Sequence, residues 1–159
     1  MKQITTIIPL NEYNETVKEM LKMAVESYAE TNKNDVSDLM FVGPKEVLEQ
    51  VKKDQTVEAT YVEHEDSWFS SLINAAAKKV KTDYFSILEF DDEFSPIWFD
   101  NVIKYIDAGD NISVYLPLTE VFDYQHKEQG PIGYVNEAVW ASSFSEQLGY
   151  FDNDCLQDL

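Results

Sequence analysis

Through the first 110 residues, short β-branched apolar runs alternate with segments whose apolar residues recur every three or four positions. That alternation constrains the fold more than any other feature. Strands joined through helices cannot pair as hairpins, so they lie parallel, and the helices cover the faces of the sheet. Ile4-Thr5-Thr6-Ile7-Ile8-Pro9-Leu10 reads as a buried first strand with Pro9 at its C-terminal end. Val17, Met20, Leu21, Ala24, Val25 and Tyr28 give a helix over Thr16 to Glu30 one apolar face, with Asn14 or Glu15 near its N-cap. Asp38 to Val42 predicts a second strand stopped by Gly43-Pro44, and Val47, Leu48 and Val51 mark a short helix. Thr56 to Val62 predicts a third strand. Phe69, Leu72, Ile73, Ala76 and Val80 then predict a helix capped by Asp66 or Ser67. A fourth strand runs into Ile87 and Leu88, both expected in the core. Ser95-Pro96 opens a fourth helix, whose inner face is Phe99, Val102, Ile103 and Ile106. This order predicts an α/β, doubly wound sheet with right-handed crossovers and a ligand site at the carboxyl edge of the strands. Pro9, Gly43, His64 and Asp91 fall on that edge.

The fourth strand ends in four acids within five residues, Glu89 to Glu93. Glu89, Asp91 and Asp92 emerge where the strand stops, and because side chains two positions apart share a face, Glu89 and Asp91 have a common direction. Hard oxygen ligands so close repel one another unless a divalent cation such as Mg²⁺ or Mn²⁺ neutralises them, with substrate phosphates completing the shell. A solvated acidic turn before a helix is the plain alternative.

At 159 residues, 44% of them hydrophobic and 13% aromatic, the chain suffices for one domain with a sizeable core, and a single domain over 1–159 is expected. The 30 acids face 12 basic residues, all Lys, for a formal charge of −18. That balance disfavours nucleic-acid backbones and anionic membranes. No apolar run approaches the roughly 20 residues of a spanning helix, and the N-terminus does not resemble a signal peptide. The lone Cys155 excludes an internal disulfide, so a reducing, cytoplasmic setting is expected. An Arg-free, Asn- and Asp-rich composition suggests an AT-rich genome, such as that of a low-GC bacterium or its phage.

Beyond residue 110, Ile112 to Leu118 and Val121 to Tyr124 read as strands without intervening helices, Gly130-Pro131-Ile132-Gly133 as a turn, Val135 to Ala141 as a strand and Ser142 to Leu148 as a short helix. This part is α+β in character. Elsewhere, chemistry-bearing residues have ordinary explanations. Lys45 reads as a surface lysine, and Trp68, Trp98 and Trp140 as core or half-buried aromatics. His64 and His126 lack a ligand at metal spacing, and Ser70 and Ser71 lack a nucleophile elbow. No glycine-rich phosphate loop occurs.

The motifs together resemble the inverting family 2 glycosyltransferases with the GT-A fold, a three-layer α/β/α architecture. Ile7-Ile8-Pro9-Leu10-Asn11-Glu12 is similar to the family's first strand and its nucleotide loop, and Thr82-Asp83-Tyr84-Phe85 to the run into its metal motif. Glu89-Phe90-Asp91-Asp92 stands where the family has Asp-x-Asp-Asp, Leu148-Gly149-Tyr150-Phe151-Asp152 resembles a Leu-Gly-Gly-Phe-Asp segment, and Gln157-Asp158 falls where a Glu-Asp pair carries the base. The resemblance implies a nucleotide-binding half over 1–110 and an acceptor-side half over 111–159. It implies nucleotide-sugar binding by Pro9, Asn11, Glu12, Glu89 and Asp91, with Mn²⁺ or Mg²⁺ held by Asp91 and Asp92. Asp158 would be the catalytic base for transfer to an acceptor hydroxyl with inversion. The sequence departs from the pattern at Gly43-Pro44, where the family commonly has a base-reading Asp. Because it ends one residue after Asp158, an incomplete acceptor half and poor turnover are expected, with a larger parent chain or a homo-oligomer as the setting. A GT-A-like binding or structural module without turnover is the alternative reading.

Overall fold

The computed structural model describes residues 2–108, 114, 119–123, 127–131 and 133–135. The chain divides into two compact units, Met1–Asp110 and Asn111–Leu159. In the first, β1 (Ile4–Pro9), α1 (Glu15–Thr31), β2 (Ser37–Gly43), α2 (Lys45–Asp54), β3 (Thr60–Glu63), α3 (Phe69–Ala77), β4 (Tyr84–Ile87) and α4 (Trp98–Ala108) follow one another. The four strands form one parallel sheet in the order β3-β2-β1-β4. The parallel, helix-connected architecture expected from the alternation is therefore present. In the second unit, β5 (Thr119–Val121) and β6 (Gly133–Val135) pair antiparallel, with a short 3₁₀ turn over Lys127–Gln129. The strand expected over Val121 to Tyr124 is met only at Val121, where β5 ends, with Phe122 and Asp123 outside any strand, and Gly133, expected in a turn, opens β6. The strand expected over 112–118 (apart from residue 114), the continuation of the next strand over 136–141 and the helix over 142–148 lie outside the described residues.

Side chains alternate across the sheet and divide the core in two. Ile4, Ile8, Leu39 and Phe41 pack with Val17, Leu21, Val25 and Tyr28 of α1, Leu48 and Val51 of α2, and Phe99 and Val102 of α4. On the opposite face Ile7, Met40, Val42 and Val62 pack on Leu72 and Ala76 of α3. One face thus carries three helices and the other carries α3, giving three layers. Each fully buried Leu, Ile or Phe contributes about 1.5–3 kcal/mol relative to exposure, so both faces of the sheet add to stability.

Several boundaries differ from expectation, each for a local reason. The third strand pairs only from Thr60, where its register with Met40 begins, so Thr56 to Ala59 lead into it rather than belong to it. The α3 N-cap is Trp68 without a side-chain cap; Asp66 acts one step earlier, its Oδ1 accepting from the Trp68 N–H at 3.1 Å. The helix ends at Ala77, three residues before Val80. Leu88 is buried as expected, but Ile87 is 41% exposed. Ile87 and Phe85 point to the α3 face, and α3 lies over β2 and β1 rather than over the edge strand β4. Strand alternation turns Leu88 to the sheet face that carries α1, α2 and α4 and Ile87 to the uncovered side.

Candidate functional site at the carboxyl edge

All four strands end on one edge. The chain moves from β1 outward to β3 and then returns past β1 to β4, so the order reverses between β1 and β4. A crevice outside the carboxyl ends of strands at such a reversal is where open α/β sheets bind ligands. A cleft of about 140 Å³ lies there, lined by Pro9, Asn11, Ser67, Phe69, Leu72, Glu89 and Phe90. Pro9, Asn11 and Glu89, all expected at a nucleotide, thus come together. Glu12 and Asp91 are exposed but do not line the cleft. Asp158 lies outside the described residues.

The loop carrying Asn11 and Glu12 is tied at both ends. The Leu10 N–H donates to the Val42 carbonyl at 2.8 Å, and the Leu10 side chain is buried. The Tyr13 hydroxyl donates to Asp54 Oδ2 at 2.9 Å. Burial first and the Asp54 carboxylate second push the Tyr13 hydroxyl well above the usual phenol range. Lys18, 3.0 Å away, and Tyr13 hold Asp54 below the usual carboxylate range. Asn14 Oδ1 then accepts from the Val17 N–H at 3.0 Å and starts α1.

On the other side of the cleft, the chain leaves β4 through Leu88 and turns. The Asp92 N–H donates to the Glu89 carbonyl at 3.1 Å, closing a turn over Glu89, Phe90, Asp91 and Asp92. Strand alternation stops at Ile87, so the common direction expected for Glu89 and Asp91 does not follow from a strand. Phe90 faces the cleft with Glu89, while Asp91 and Asp92 are exposed on the turn beside them. Among the described residues no three Asp, Glu, His or Cys side chains are gathered closely enough to enclose a metal ion. Exposed hard-oxygen donors on a turn nonetheless suit Mg²⁺ or Mn²⁺, which bind through one or two carboxylates and complete their shells with water and phosphate oxygens.

The third wall escaped the sequence reading. Ser67 enters from the β3–α3 connection and Phe69 and Leu72 from the first turns of α3, where Phe69 lines the cleft rather than the helix's core face. His64 N–H donates to the Gly43 carbonyl at 2.9 Å, and His64 Nε2 lies 2.8 Å from Ser71 Oγ. The Trp68 backbone N–H first and the Ser71 hydroxyl second lower the Asp66 carboxyl below its ordinary range. His64 is thus part of a hydrogen-bonded brace. Trp98 is half-buried and stacks on Phe94 with ring centroids 5.4 Å apart, whereas Trp68 is 77% exposed. Trp140 and His126 lie outside the described residues.

A larger cleft, about 330 Å³, opens on the opposite edge between Lys2, Asn32, Asp35, Asp38 and Thr60. Its polar groups serve the fold. Asn32 Oδ1 accepts from the Val36 and Ser37 N–H groups, Asn32 Nδ2 and the Tyr28 hydroxyl both donate to the Ser37 carbonyl, and Lys2 pairs with Asp35 and Asp38. The smaller cleft, at the topological reversal, is the better candidate.

The family profile of glycosyl transferase family 2 matches residues 13–152, nearly the whole chain. The chain belongs to that family. A comparison with curated protein sequences finds no significant match. Among solved structures, the crystal structure of S. aureus TarS, residues 1–349, is similar at a TM-score of 0.52 and 12% identity, over 77% of this chain and 42% of that one. At that identity the likeness speaks for the fold alone, here GT-A, and this chain spans less than half the length of the TarS chain. No described helix is long and apolar enough to cross a membrane.

Proposed function

We propose that this family 2 chain binds a nucleotide sugar at the cleft between β1 and β4 and transfers the sugar to an acceptor hydroxyl with inversion. The observation that carries the reading is the meeting of Pro9, Asn11 and Glu89 around one cleft at the point where strand order reverses, beside the acidic turn. Pro9 and Asn11 shape the β1 side of the nucleotide pocket, with Glu12 beyond them. Glu89 accepts from ribose hydroxyls. Asp91, with Asp92 in support, holds Mn²⁺ or Mg²⁺. When bound, that cation supplies the positive charge that the departing diphosphate needs. The need is acute, because a chain of net charge −18 with no Arg repels a diphosphate.

Asp158 takes the proton of the acceptor hydroxyl. The oxygen attacks the anomeric carbon while the carbon–oxygen bond to the diphosphate breaks on the opposite face, releasing the nucleoside diphosphate and inverting the centre. General-base assistance of this kind is worth roughly 10²–10⁴-fold. Calorimetry with a panel of nucleoside diphosphates, with and without Mn²⁺, tests the binding half of the reading. Mn²⁺-dependent binding is expected, and Asp91→Asn should weaken it at least tenfold while leaving the melting temperature in place, since the substitution removes a charge and keeps the shape. If no nucleoside diphosphate binds with or without the metal, the reading fails.

A further inference from the structure

Two consecutive aromatic side chains open α3 at the carboxyl edge, and both face water: Trp68 is 77% exposed and Phe69 46%. Neither belongs to either core cluster, which take only Leu72, Ala76 and their neighbours from this helix. Large aromatic faces left in water forgo the burial that makes them favourable, and they concentrate where a ligand supplies the missing contact. Phe69 lines the cleft with Pro9, Leu72 and Phe90, and Trp68 lies between the two lining residues Ser67 and Phe69.

The backbone that presents the pair is held from several directions. His64 N–H is bonded to the Gly43 carbonyl, Asp66 Oδ1 accepts from the Trp68 N–H, and the Leu72 N–H donates to the Trp68 carbonyl at 3.0 Å. His64 Nε2 lies 2.8 Å from Ser71 Oγ, which stands in the first turn of the same helix. A braced platform costs less ordering on binding than a free loop.

Charge and shape indicate the occupant. The protein lacks Arg, and Lys45, the first residue of α2, is the basic side chain that the β2 end brings to this edge. Beside the cation that holds the diphosphate, the neutral part of the nucleotide must therefore supply a large share of the affinity. The cleft, at about 140 Å³, is well below the several hundred cubic ångströms of a pocket that swallows a whole ligand, and is of a size for a single ring. The wall of Pro9, Phe69, Leu72 and Phe90 is apolar, unlike the acidic turn, so the flat base gains from it and the charged diphosphate does not. Resting on the nucleotide-sugar reading above, we infer that Trp68 and Phe69 form the stacking platform for the donor's nucleobase and so set base affinity. Base–aromatic stacking typically amounts to about tenfold or more in affinity per ring removed.

The test measures dissociation constants of UDP, CDP, GDP and ADP in the presence of Mn²⁺, with Mn²⁺-pyrophosphate as a ligand that has no base. Trp68→Ala and Phe69→Ala should each weaken nucleotide binding about tenfold and leave pyrophosphate binding unchanged. Trp68→Phe and Phe69→Tyr should retain affinity within about threefold, because a ring remains. Both positions are exposed, so melting temperatures should stay constant. Unchanged nucleotide affinity in both alanine variants, or an equal loss for pyrophosphate, overturns the platform while leaving the proposed function standing. Failure of the unsubstituted protein to bind any of the four nucleotides overturns both.

Discussion

Gly43 stands where β2 ends and where the resemblance called for an acid, and packing explains why no side chain is there. A Cβ at this position would collide with the carbonyl oxygen of Leu10. Leu10 is itself held to Val42 through its N–H, and the Gly43 carbonyl accepts from His64, so three strand ends meet at this residue. Glycine here permits close backbone approach at the site's edge rather than a positive φ. Gly43→Ala should therefore lower stability by about 1–3 kcal/mol, in the range of overpacked sites. It should also displace the Pro9–Asn11 side of the cleft. Chemical denaturation measures the first effect, and nucleotide affinity measured well below the melting temperature measures the second. A variant as stable as the parent would show that Leu10 shifts freely, and with it the loop that carries Asn11.

Elements in this chain are fixed by different means, and their legibility in the sequence varies accordingly. α1 shows its cap and its apolar stripe openly: Asn14 caps Val17, and Val17, Leu21, Ala24, Val25 and Tyr28 are buried. Asn14→Ala should cost about 1 kcal/mol, read as a fall of about 2–4 °C in melting temperature, because the Val17 N–H loses its partner. No change would mean that Glu15 or water takes over the cap. β4 was half legible. Its apolar run announced a strand, but which of Ile87 and Leu88 is covered depends on where α3 lies, and periodicity within one strand carries no information about a helix on the far face. The site divides in the same way. Pro9, Asn11 and Glu89 belong to strand ends, whose meeting follows from parallel order alone. Ser67, Phe69 and Leu72 reach the cleft because α3 crosses beneath β1 and β2, a tertiary placement no local pattern announces. The common direction expected for Glu89 and Asp91 rests on strand alternation, and the hydrogen bond from the Asp92 N–H to the Glu89 carbonyl, which turns the chain there, leaves no mark on residue spacing.

Over the whole molecule, charge sets the response to solution conditions. Thirty acids face 12 lysines. The ion pairs of Lys2 with Asp35 and Asp38, Lys18 with Asp54 and Lys22 with Glu26 are solvent-accessible and individually small. Self-repulsion of the excess negative charge thus outweighs them in the compact state, and salt screens it over a distance of about 8 Å at physiological ionic strength. The melting temperature at pH 7 should rise as NaCl increases from about 10 mM to about 300 mM. Acid acts in two stages. Asp54 and Asp66 have folded-state pKa values below their unfolded ones, so their stabilisation is complete above the ordinary carboxylate value of about 4 and is lost as pH falls through the lowered folded values. Lowering pH from 7 toward about 4 leaves that contribution intact while carboxylates elsewhere begin to take protons and relieve repulsion. Stability should hold or rise over that span and fall only below it. Mn²⁺ separates general screening from a specific site: at matched ionic strength it should raise the melting temperature beyond NaCl in the parent chain, and Asp91→Asn should lose that excess while keeping the NaCl response. Melting curves that fall with salt would show that the ion pairs, rather than repulsion, dominate the electrostatics. An Mn²⁺ excess that persists in Asp91→Asn would move the cation away from the acidic turn.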